Sequence, residues 1–242
     1  MSFDRIVQTT LCPFAKPSQM GPPLTVTSAD VETELRGHRT ALADFFRTAR
    51  TEERDGMVLT FEDPALGATL ESLTRLTRRF FEALCAMYPS VYIQESPHPD
   101  ETWYAMIEGE RFFVVSFAPC YPEHSPRYNH GSPHTYFLLQ PASTFERHAT
   151  AIDKRRERIH RAFTAVGRPY DARLANVEND MFKSVMPIDP PDQAIAWWDA
   201  EPDDLPEADA VRRTHGCPRA DGAGQVPEAG AVSGAAAFEK AG

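Results

Sequence analysis

No run of about 18 apolar residues occurs in the 242-residue chain, so a membrane-spanning helix is not expected. The opening residues, Met-Ser-Phe-Asp-Arg-Ile, lack the basic start and apolar stretch of an export signal, which makes the cytoplasm the expected location. Cysteine is scarce. Cys12, Cys85, Cys120 and Cys217 are the four present, widely separated and without Cys-x-x-Cys spacing, so the expectation is four free thiols, with no disulfide framework and no zinc knuckle. Glycine-rich phosphate loops are missing, both the Walker type and the dinucleotide fingerprint, which leaves nucleotide-driven chemistry without local support. Also missing are His-Glu-x-x-His, the Gly-x-Ser-x-Gly elbow and paired Glu-x-x-His helices; these absences argue against zinc-peptidase, α/β-hydrolase and di-iron readings. Basic residues are few, with 25 Lys and Arg against 35 Asp and Glu and a formal net charge of −10. A surface of that average sign repels nucleic acid and anionic membranes, so neither is an expected partner, whereas a cationic small molecule is drawn to it.

What is there is a chain with 42% apolar residues, enough for one sizeable core. Beyond Asp199 large apolar side chains nearly vanish and Asp, Glu, Pro, Gly and Ala take over. Residues 1–199 therefore read as a single domain and 200–242 as a disordered tail, too poor in apolar area to offset its ordering entropy. Within the domain, Ser28 is a candidate N-cap for a helix over 29–50, carrying Val31, Leu35, Leu42, Phe45 and Phe46 near helical spacing. Pro64 precedes a second helix over 66–87 with a broad Leu and Phe face, and Pro89 closes it. Ser143 and Glu146 have capping-box spacing for a third, over 144–166. Strands are expected at 57–61, at 103–107 and 111–117 as a hairpin about Glu108-Gly109-Glu110, and at 134–139. Helices and strands do not alternate regularly, so the predicted class is α+β: a small, mainly antiparallel sheet covered by three longer helices.

The stretch between the last two strands concentrates the chemistry. It carries His124, His130 and His134 with Cys120, Tyr121, Arg127 and Tyr128, displayed where a rigid sheet can hold them. Without further metal-ligand spacing, the arrangement suits one axial ligand to a larger cofactor better than an all-protein metal site. A proline-braced loop, Pro122 to Pro126, makes His124 the leading candidate. His134 and the sulfurs of Cys120 and Cys12 compete with it, and an exposed loop histidine is the plain alternative. Arg127 has the geometry to grip a carboxylate.

Several blocks occur in a familiar order: Cys12-Pro13-Phe14-Ala15-Lys16, Phe61-Glu62-Asp63-Pro64, Phe112-Phe113-Val114-Val115, His124-Ser125-Pro126-Arg127-Tyr128, and Gln140-Pro141 followed by Phe145. In these blocks the chain resembles the YqcI/YcgG family, which includes haem-dependent N-hydroxylases of guanitoxin and cycloserine biosynthesis. The resemblance runs over about residues 8–199 and ends near Ala196-Trp197-Trp198-Asp199. It implies a haem-dependent monooxygenase: a b-type haem, molecular oxygen, an external electron donor or redox partner, and hydroxylation of a guanidine or amine nitrogen. It further implies His124 as the iron ligand, His124, Arg127, Cys12 and Lys16 as cofactor-binding, and Arg127 and Tyr128 as catalytic. Ser125 departs from a direct His-Pro pair. Two other functions share these residues: a haem or gas sensor without turnover, and a haem-free binder of cationic small molecules.

Overall fold

The computed structural model describes residues 3–12, 15–147, 152–167, 177–189, 193–201 and 219–220. A five-stranded sheet organises them, built from β1 (Leu24–Val26), β2 (Met57–Phe61), β4 (Ala105–Ile107), β5 (Glu110–Phe117) and β6 (Thr135–Pro141), in the order β1-β2-β6-β5-β4. Only the β1–β2 pairing in this sheet is parallel. The class is α+β, as the sequence predicts.

Strand alternation gives the sheet two faces. Directly opposed pairs such as Leu59 and Phe137, or Val114 and Leu139, point to one side. There they meet α2 (Val31–Gly37), α3 (Arg39–Thr48) and α4 (Leu70–Met87), forming the main core. Aromatic edges mesh across it: Phe80 lies 5.2 Å from Phe137 and Phe46 lies 4.5 Å from Phe112. The opposite face, with Val58, Phe117 and Tyr136, is covered at one end by the short α1 (Asp4–Thr9) through Ile6 and by Phe3.

The hairpin turns on Glu108 and Gly109, at φ of 51° and 78°, the left-handed pair that a two-residue turn with the right twist requires. Helix α4 begins at a capping box made by Thr69 and Ser72. The capping box expected at Ser143 is not made. Instead the buried Glu110 carboxylate accepts from the Ser143 amide at 2.7 Å, and Glu146 pairs with Arg50 at 2.8 Å. The expected third helix is represented by α5 (Ala142–Arg147) and α6 (Ile152–Thr164); its stretch at 148–151 lies outside the described residues. The expected helix over 29–50 is broken at His38, whose Nε2 donates to Thr25 O at 2.8 Å, and it is capped by Asp30 rather than Ser28.

A four-residue helix, α7 (Met181–Ser184), and a 3-10 turn at Trp197–Asp199 complete the main core, with Trp197 stacked on Phe81 at 4.6 Å. Several short elements have no counterpart in the sequence reading: α1, β1, α7, and the strands β3 (Ile93–Gln94) and β7 (Arg219–Ala220), which pair in parallel. The rest of the expected tail beyond residue 201 lies outside the described residues. Cysteine also departs from expectation, since Cys12 and Cys120 are in no disulfide but Cys85 is disulfide-bonded. No helix among the described residues is long and apolar enough to cross a membrane.

Candidate functional site

The loop from Ala118 to His134 leaves the end of β5 and returns at the start of β6. It is tied down at several points. Cys120 N donates to Gly67 O at 3.1 Å, Ser125 N to Pro122 O at 2.9 Å, and Tyr128 N to Ser125 O at 3.1 Å. Tyr121 is the central anchor: its buried hydroxyl donates to Met186 O and accepts from Met186 N, both at 3.0 Å. Burial pushes the Tyr121 phenol up to about 12, so at neutral pH it stays protonated and able to donate.

Tyr121 thereby fastens the segment 185–189 beside the loop, and this segment supplies a partner for His124. The His124 Nε2 lies 3.2 Å from Asp189 Oδ1, with both side chains largely open to solvent. When Nε2–H donates to this carboxylate, Nδ1 is left as the free lone pair, the arrangement in which an imidazole binds a metal. Asp189 stands 65 residues away in sequence and nothing in its surroundings marks it; the pairing exists only through the fold.

Arg127 is 5% exposed and turned inward. Its guanidinium donates to Lys183 O at 3.1 Å and to Ser116 O at 3.5 Å, joining the end of β5 to α7. Engaged in this way it clamps backbone and presents no fork to an outside carboxylate. Tyr128 is half-buried, its ring 5.0 Å from that of His130, which sits at φ 58°. His134 Nδ1 contacts Glu62 O at 3.1 Å, and Asn129 holds the turn between them by donating to Ser132 O and His134 O. The Cys120 thiol is pushed up to about 12 by burial, which disfavours the thiolate that a metal needs.

Lys16 lies beside α1, on the second sheet face. Lys16 borders an open groove of about 360 Å³ with Asp4, Val7 and Gln8 of α1, the helix that packs on the second sheet face. Arg127, by contrast, is bound to α7 and His124 to the segment that follows it, on the main-core side. The fold therefore brings His124, Arg127 and Tyr128 together in one loop and sets Lys16 beside α1. Pro13 and Phe14 of the same block lie outside the described residues. A second hollow of about 70 Å³ is bounded by Arg78, Ile93, Gln94, Glu95, Trp198 and Asp199. Neither hollow is lined by His124.

Among the described residues no three His, Cys, Asp or Glu side chains converge to hold a metal ion. Of the side chains at this loop, His124, oriented by Asp189, is the one that could hold a haem iron. Arg127 as it stands does not fit a propionate.

No curated protein and no solved structure matches the chain. The sequence model of the YqcI/YcgG family does match, over residues 11–181. That span takes in the whole five-stranded sheet and the His124 loop, and so the chain belongs to the YqcI/YcgG family.

Proposed function

We propose that the protein is a haem-dependent N-hydroxylase, a monooxygenase that transfers one atom of molecular oxygen to a nitrogen of a guanidine or amine on an amino-acid-like small molecule. A biosynthetic route to a specialised metabolite is the fitting context, and electrons come from a separate redox partner. The observation that carries the reading is the family match over residues 11–181. The pairing of His124 with Asp189 supports it from the chemistry of the donors.

When bound, the haem supplies oxygen activation. Of the chain's own residues, His124 would hold the iron, through Nδ1, with Asp189 accepting from Nε2–H and so keeping the ring in one tautomer. Tyr121 keeps Asp189 in place by fixing Met186. The formal charge of −10 favours the approach of a cationic substrate, with a rate that falls as ionic strength rises.

The absorption spectrum of the purified protein, before and after haem addition, is the first test; a Soret band of the histidine-ligated class is expected. Replacing His124 with Ala should remove most of the haem with the fold intact. A protein that stays colourless moves the reading to a haem-free binder of cations. Reaction mixtures with labelled oxygen gas, reductant and a panel of guanidines and amines test the chemistry by mass spectrometry: one labelled atom on nitrogen is expected. A bound haem with no incorporation across the panel moves it to a sensor.

A further inference from the structure

The hollow between α4, β3 and the 3-10 turn at Trp197–Asp199 measures about 70 Å³, room for about five waters at roughly 10–15 Å³ of accessible space each. Its inner wall carries a charge. Arg78, 8% exposed, borders the hollow; its Nε donates to Glu82 Oε1 at 2.7 Å and its Nη1 to Trp198 O. The remaining nitrogen, Nη2, makes no hydrogen bond among the described residues and is not sealed from solvent. One end of a guanidinium more than nine-tenths buried is thus left open to the hollow. Glu95 and Asp199, both exposed, border the same space, and the buried Ile93 and Trp198 complete its wall.

We propose that this hollow binds a small α-amino acid, its carboxylate on Arg78 Nη2 and its ammonium group at the acidic rim formed by Glu95 and Asp199. Charge decides the class. Arg78 and Glu82 neutralise each other, so the two rim residues leave the surroundings net negative and a simple anion is repelled on approach. A simple cation suits the rim but gives Nη2 no acceptor. A zwitterion with both groups on one carbon answers the rim and the guanidinium together.

The walls are set before any ligand arrives. Asn179 Nδ2 donates to Gln94 Oε1 at 2.8 Å, Trp198 meets Phe182 edge-on at 5.0 Å, and Trp197 stacks on Phe81. A site formed in advance loses little freedom on binding. His124 does not border the hollow, so the proposal is independent of any reaction at that loop.

Full-length isotope-labelled protein is titrated with L-alanine and followed by NMR at the amides of residues 93–95 and 198–199. Saturable shifts are expected at about millimolar concentration. Alaninamide, which lacks the carboxylate, and propionate, which lacks the ammonium group, should each bind about tenfold more weakly, because each leaves one side of the site unanswered. Asp199→Asn should weaken alanine binding about threefold or more with an unchanged urea midpoint, and Arg78→Lys, which keeps the charge but loses Nη2, should abolish saturation. If Arg78→Lys loosens the 3-10 turn, Asp199→Asn carries the test. Propionate binding as well as alanine would make this an anion site, and alaninamide binding as well would make it a cation site. Either result overturns the proposal, as do alanine shifts that never saturate or that spare these residues.

Discussion

Replacing Tyr121 with phenylalanine removes one oxygen atom and leaves the ring in its place. That oxygen is the partner of both the amide and the carbonyl of Met186, at 3.0 Å each, and Tyr121 and Met186 are 1% and 6% exposed. The variant therefore strands a donor and an acceptor on the same buried residue. Each orphaned group costs about 1–3 kcal/mol. Because the two share one peptide neighbourhood and one water can relieve both, the expected loss is about 2–4 kcal/mol rather than the full sum. In urea unfolding the midpoint should fall by about 1–2 M with an unchanged slope, given slopes of about 1–3 kcal/mol/M. A second readout separates this pair of bonds from general weakening: the His124 ring resonances should move towards those of Asp189→Asn, since the segment bearing Asp189 loses its anchor. A loss under about 0.5 kcal/mol with His124 unmoved would refute the idea that Tyr121 fastens the 185–189 segment to the loop.

Gly67 has φ +100°, and a Cβ there would come within 2.1 Å of Thr135 Oγ1, so Gly67→Ala should cost about 3 kcal/mol or more in thermal or urea unfolding; adding Thr135→Ala should recover part of it. Alkaline pH should destabilise the fold: the folded-state values of Cys120, Tyr121 and Tyr88 are all raised to about 12 from 9.0, 10.0 and 10.0. Their stabilising contribution is complete below about pH 9 and is lost as pH climbs to about 12, which denaturant midpoints across that range will check. Asp189→Asn should change stability by less than about 0.5 kcal/mol, as expected of an exposed pair, yet weaken haem binding about tenfold or more in spectral titration if His124 is the ligand.

The elements that could be read from sequence are those whose signal is local. Met57–Phe61 is an apolar run broken only by Thr60, α4 has a wide Leu and Phe face, and the hairpin carries its own Glu-Gly turn; all three form, with α4 starting at Leu70 rather than at 66. Failures occur where a remote group outcompetes a local one. Ser143 and Glu146 have the spacing of a capping box, but Glu110 and Arg50, both far away in sequence, take their hydrogen bonds. His38 ends a helix early because its ring reaches the Thr25 carbonyl. Strand β1 is three residues long, shorter than any periodicity can reveal. The candidate loop stood out because its residue types were dense, but the role of each member was not legible. Arg127 reads as a carboxylate fork and lies buried against backbone carbonyls, while Asp189 gives no sign in sequence of meeting His124.

The two edges of the five-stranded sheet are its shortest strands, three residues each at β1 and β4. A longer free edge would offer a row of unpaired amides and carbonyls to a neighbouring molecule. Here β1 is preceded by Pro22 and Pro23, which have no amide to give, and its Thr25 carbonyl is already taken by His38 at 2.8 Å. The Arg111 guanidinium, 4.8 Å from the Tyr104 ring, places a charge beside β4. Sheet-to-sheet joining is thereby discouraged at both ends, so this apolar-cored chain can be concentrated without its strands recruiting those of another copy.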